Sequence, residues 1–121
     1  MVVAKLRRIS SPDTPSLEAF RPESEFGIAV YAFVGPANGP GEESFGITVC
    51  TPVWFEQSMT NKVMSGRHLL FIREYDYDDL KNFLEGYCRT SMGNSWREVA
   101  EKVGRLGYWE FEDYKPYEKP L

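Results

Sequence analysis

The sequence predicts an α+β fold: a mostly antiparallel sheet of about five strands with two or three helices packed on one face. Three observations point there. Apolar runs at residues 26–34 and 44–50 flank Gly35-Pro36-Ala37-Asn38-Gly39-Pro40-Gly41, whose composition makes a hairpin tip, so neighbouring strands meet antiparallel. The main helical periods come as a block between residues 76 and 106 instead of alternating with strands. A chain of 121 residues, 42% hydrophobic and 15% aromatic, is sized for one core, since folding at this length removes roughly two-thirds of the accessible surface. One domain over residues 1–114 is expected, with a loosely held tail at 115–121.

Each element follows from local chemistry. In residues 2–9, Val2, Ala4 and Leu6 alternate with Val3, Lys5 and Arg7, the pattern of a half-buried strand with a basic solvent side. Pro12 and Pro15 stop it, and Leu17 to Phe20 has room for a short helical turn before Pro22. Phe26 to Val34 is almost wholly apolar and belongs at the sheet centre, while Ser44 to Cys50 alternates Phe45, Ile47 and Val49 with Gly46 and Thr48. Thr51-Pro52 reads as an N-cap followed by proline at the first helical position, opening a short helix to Met59 that presents Trp54 and Phe55. Leu69 to Ile72 is another apolar strand. From Asp76, the residues Tyr77, Leu80, Leu84 and Tyr87 or Cys88 recur at helical intervals behind an acidic first turn. Gly93-Asn94 breaks that helix. Ser95-Trp96-Arg97-Glu98 is a capping box for the next, which carries Trp96, Val99, Val103 and Leu106 on one face and has Gly107 placed as its cap. Tyr108 to Tyr114 then reads as a strand, with Trp109 and Phe111 inward and Glu110 and Glu112 outward.

Charge and composition narrow the function. A net charge of −4 and a pI near 5 supply no basic field for a nucleic-acid backbone or an anionic membrane; a cationic partner suits the chain better. Cys50 and Cys88, the only cysteines, sit in apolar runs and are expected as reduced core thiols. The N-terminal residues lack the order of a signal peptide, and no run approaches the ~20 apolar residues of a membrane span, so a cytoplasmic location is expected. One histidine, His68, with two scattered cysteines gives no metal-ligand spacing. No catalytic residue, metal or cofactor is expected.

Two acidic aromatic runs stand out. Glu74-Tyr75-Asp76-Tyr77-Asp78-Asp79 holds four acids in six positions with no cation among them. A helix start stabilised by its dipole accounts for one or two of these acids; a surface that receives a basic partner accounts for all four, with the tyrosines adding rigid contact area. The second run supplies Glu110, Glu112 and Asp113. Glu110 and Glu112 would stand about 7 Å apart on one strand face, a spacing also open to a small carboxylate- and metal-dependent hydrolase using Glu110, Glu112 and Asp113. The simpler reading pairs them with Lys5 and Arg7, which have the same spacing, if the first and last strands are neighbours. The candidate partner-binding set is therefore Glu74, Tyr75, Asp76, Tyr77, Asp78, Asp79, Glu110, Glu112 and Asp113.

Taken together, Glu43-Ser44-Phe45, Thr48-Val49-Cys50-Thr51-Pro52 with Trp54, Gly66-Arg67-His68-Leu69-Leu70, Glu74-Tyr75-Asp76-Tyr77, Ser95-Trp96, Arg105-Leu106 and Trp109-Glu110-Phe111-Glu112-Asp113-Tyr114 resemble the immunity protein 8 family of bacterial polymorphic toxin systems. Ile9-Ser10-Ser11-Pro12-Asp13 is a weaker match. The resemblance implies a non-enzymatic protein that binds and blocks a cognate toxin domain in the cytoplasm. It carries no set of toxin-contacting positions.

Overall fold

The structure, a computed structural model, describes residues 1–114; the tail expected at 115–121 lies outside the described residues. The chain runs β1 (Val2–Ser10), β2 (Gly27–Pro36), β3 (Glu43–Cys50), α1 (Pro52–Ser58), β4 (Leu69–Phe71), α2 (Tyr77–Arg89), β5 (Met92–Gly93), α3 (Trp96–Val103) and β6 (Tyr108–Trp109). The sheet order is β4-β3-β2-β1-β5, and β6 joins the free edge of β3.

β1, β2 and β3 form an antiparallel meander, with Val30 opposite Ile47 and Ala32 opposite Phe45. Alternation sends Ile28, Val30, Ala32 and Val34 of β2, with Phe45, Ile47 and Val49 of β3, to one buried face. There they meet Leu80, Leu84 and Cys88 of α2 and Val99, Ala100 and Val103 of α3 in a single apolar cluster. Where β1 ends, the Asp13 carboxylate accepts the Ala29 N–H at 2.8 Å and so satisfies a donor at the start of β2.

Two features of the expected fold are corrected. The sheet is mixed, not mostly antiparallel, because β4 pairs with β3 in parallel over Thr48–Cys50. The β3–α1–β4 stretch is a crossover connection, which returns the chain to the same end before it re-enters the sheet. The helices also do not share one face. Gly27, Cys50 and Phe71 are register partners on the face opposite the main core, and α1 lies over that row. Trp54 occupies the space a side chain at position 27 would need, with ring carbons 2.3–2.4 Å from the Cβ site, and Phe55 meets Phe71 edge to face at 5.9 Å. Cys50 is thereby fully buried yet apart from the main cluster.

The helix ends follow their sequence signals. Thr51 accepts the Trp54 N–H, Asp76 the Asp79 N–H and Ser95 the Glu98 N–H. Glu98 reaches back to the Asn94 N–H at 3.0 Å, one residue before the cap. Gly107 is not the C-cap of α3; Gly104 holds that position. A Cβ at Gly107 would come within 3.0 Å of Ile47 and Phe45, so glycine there lets the chain lie close on β3.

The last strand is shorter than expected and sits elsewhere. β6 pairs with Phe45 and Gly46 of β3, leaving two strands, β2 and β3, between it and β1. Lys5 and Arg7 therefore do not face Glu110 and Glu112. Pairing stops at Trp109 because β3 itself begins at Glu43: the Glu110 N–H still reaches the Ser44 carbonyl, after which the chain turns. Phe111 is consequently exposed, against the inward position expected of it, while Trp109 is buried against Phe45. No helix among the described residues is long and apolar enough to cross a membrane.

Candidate partner interface

The first acidic run lies at the start of α2, and its members divide by role. Asp76 has extended backbone and caps the helix, so it belongs to folding first. Tyr75 points inward: its hydroxyl donates to the Leu17 carbonyl, and its ring meets Phe20 at 4.9 Å and Phe26 at 5.6 Å, both edge to face. Burial pushes the Tyr75 phenol up to about 12, with Tyr77 and Asp76 pushing the same way against Arg21. Tyr77 is half-buried against the core. Glu74, Asp78 and Asp79 are exposed, and no basic group comes within ion-pair distance of them among the described residues.

The Tyr75–Phe20–Phe26 cluster also fixes what surrounds the run. It clamps the proline-interrupted segment 17–26 against the start of α2, so Glu18, Glu23 and Glu25 join the same surface. Two open grooves share Tyr75 and Arg21. One, of about 620 Å³, has Glu18, Asp76, Asp78 and Lys81 on its walls; the other, of about 420 Å³, has Glu23, Glu25, Arg73 and Glu74. With the adjacent Asp79, the six groove acids make seven against Arg21, Arg73 and Lys81, a formal charge of −4 that equals the whole excess of the chain; the remaining eleven acids and eleven cations cancel. Glu18, Glu23 and Glu25 were missed in the sequence because nothing local ties a Pro-flanked loop to a helix some fifty residues later. The only available signal was the concentration of Phe20 and Phe26 around them.

The second run stands near Ser44, at the opposite end of β3 from the α2 start, so roughly 20 Å of strand separates the two runs. Two of its members, Glu110 and Glu112, have protein partners. The Glu110 carboxylate accepts the Ser44 N–H at 2.8 Å, and Glu112 pairs with the Arg67 guanidinium. Asp113 is exposed and has a left-handed backbone, φ 57°. His68, the other non-glycine residue with positive φ, has Nε2 2.9 Å from the Gly104 carbonyl and meets Tyr108 edge to face. This seam ties the end of α3 to the entry of β4. No three of His, Cys, Asp and Glu stand together as a metal-binding group among the described residues.

The two thiols lie on opposite sides of the sheet, Cys50 under α1 and Cys88 on α2, both buried and unpaired. Burial raises both thiols, Cys88 to about 11. That is the chemistry of inert core cysteines, not of nucleophiles.

The site thus combines an α+β domain, seven acids clustered around two open grooves, and two buried thiols. The chain belongs to the immunity protein 8 family: the family model covers residues 4–114. The family places the chain in the immunity class of function. No curated protein and no solved structure matches significantly.

Proposed function

We propose that the protein binds and neutralises a cognate bacterial toxin domain, and that the acidic surface at the start of α2 makes the principal contact. The observation that carries this reading is the gathering of the chain's entire net charge around the two grooves. A toxin that acts on nucleic acid needs a basic cleft, and an acidic inhibitor can steer to such a cleft and cover it. Asp78, Asp79 and Glu74 present exposed charge, Tyr77 adds half-buried aromatic area, and Asp76 and Tyr75 hold the surface in place.

Glu110, Glu112 and Asp113 form a second, lesser contact in this proposal. A standard interface buries about 800 Å² per partner, a patch some 30 Å across, so both runs fit under one partner despite their separation. Glu110 and Glu112 are held by Ser44 and Arg67, which presents them without ordering cost.

The test replaces Asp78 by Asn and Asp79 by Gln, after an unchanged melting profile has been confirmed. Association with an inactivated form of the cognate toxin domain is then followed at two salt concentrations. Slower association with a shallower salt dependence is expected. Parental rates at both salts would place the contact elsewhere.

A further inference from the structure

An apolar surface near the acidic one stays largely open to solvent. Helix α1 buries none of its own residues and rests on the sheet only through the half-buried Trp54 and Phe55. Five of the twelve large apolar side chains exposed among the described residues, Val53, Met59, Val63, Met64 and Phe71, fall between positions 53 and 71. Single exposed apolar residues are ordinary. Here Val53 lies on α1, Met59 caps it, Val63 and Met64 follow in the loop and Phe71 ends the edge strand β4; such a concentration along one stretch of chain marks a contact surface. Phe71 is 51% exposed even though Phe55 covers one side of its ring. The 420 Å³ groove lies next to this shoulder along the chain: its walls include Thr51, two residues before Val53, and Arg73 and Glu74, two and three residues after Phe71.

We infer that this shoulder, Val53, Met59 and Phe71, receives an apolar side chain that the cognate toxin domain carries among its basic groups. The inference rests on the toxin-binding reading above and adds to it the apolar anchor of the interface. Charge decides the occupant. In a two-fold dimer through this shoulder the same surface meets itself, so Glu23, Glu25 and Glu74 would approach their own copies, and like charges oppose such a contact. A basic partner meets the acids favourably and desolvates the shoulder at the same time. An apolar centre bordered by charge is also where binding energy concentrates in interfaces.

The two parts of the interface differ in kinetics, and the experiment reads that difference. Full-length Phe71→Thr, which puts a strand-favouring β-branched residue in the edge strand, and Val53→Ser, at an exposed position of α1, are compared with the parent for binding to the inactivated toxin domain. Dissociation faster by roughly ten- to a hundred-fold is expected for Phe71→Thr, with the association rate and its salt dependence unchanged. Neutralising Asp78 and Asp79 should do the reverse. Parental dissociation rates in both Phe71→Thr and Val53→Ser overturn the apolar anchor while leaving acidic binding in place. If Phe71→Thr lowers the melting temperature, Val53→Ser decides alone. A parent that does not bind the toxin domain overturns both readings, and a parental dimer that Phe71→Thr dissolves shows a second copy as the occupant.

Discussion

Replacing Gly27 by Ala tests the placement of α1, on which both the buried Cys50 and the apolar shoulder depend. A Cβ there would lie 2.3, 2.4 and 2.4 Å from three ring carbons of Trp54, against an ordinary contact of 3.4–4 Å, so the indole must retreat by about an ångström. Trp54 and Phe55 are the only residues of α1 that are even half-buried, and the helix, not the sheet, has to move. Overpacking of this kind costs about 1–3 kcal/mol. With an unfolding entropy of about 2.1 cal/mol/K per residue, a chain of 121 residues loses ~4 °C of melting temperature per kcal/mol, so a fall of about 4–12 °C is expected. The decisive form is a double-mutant cycle with Trp54→Ala, read by urea denaturation. Once the indole is gone, Ala at 27 has room and less unfolded-state entropy than Gly, and its cost should vanish or turn into a gain of about 0.5 kcal/mol. Additivity of the two substitutions within about 0.5 kcal/mol would refute the contact.

Other expectations concern the start of α2. Tyr75→Phe removes the hydrogen bond to the Leu17 carbonyl and should cost about 0.5–1.5 kcal/mol near neutral pH. The folded phenol lies above its ordinary value of 10, so its contribution is present below pH 10 and is lost as pH rises through about 12. Denaturation curves from pH 8 to 11 should therefore show the gap between parent and Tyr75→Phe narrowing with pH; a constant gap refutes the buried phenol. Asp76→Ala removes the acceptor for the Asp79 N–H and should cost about 1 kcal/mol by thermal melting, whereas Asp76→Asn, which can still cap, should retain most of it. Equal losses in the two would show that charge, not the cap, is what Asp76 supplies.

What the sequence made legible is what neighbours in sequence decide. The hairpin at residues 35–41, the caps Thr51, Asp76 and Ser95, and the apolar spacing of Leu80, Leu84 and Val99 are all found where expected, because each rests on contacts within a few residues. Strand order is decided by pairing across the whole chain. The two-residue match of Lys5 and Arg7 with Glu110 and Glu112 was real as a pattern but had no power to choose β1 over β3 as the neighbour of β6. The parallel β3–β4 pair was missed because a seven-residue helix did not register as a crossover, and β5 because two residues carry no period. For the site, the acidic run was visible as composition. Its division into Tyr75 as a clamp, Asp76 as a cap and Asp78 and Asp79 as exposed charge required the fold, as did its reinforcement by Glu18, Glu23 and Glu25.

The most direct measurement of where the partner sits is backbone hydrogen exchange of the protein, free and bound to the inactivated toxin domain. Binding at the acidic surface and its apolar shoulder should slow exchange in residues 17–26, in α1 and across 71–80. Protection confined to α3, β5 and the outer side of β1, with those segments unchanged, would contradict it.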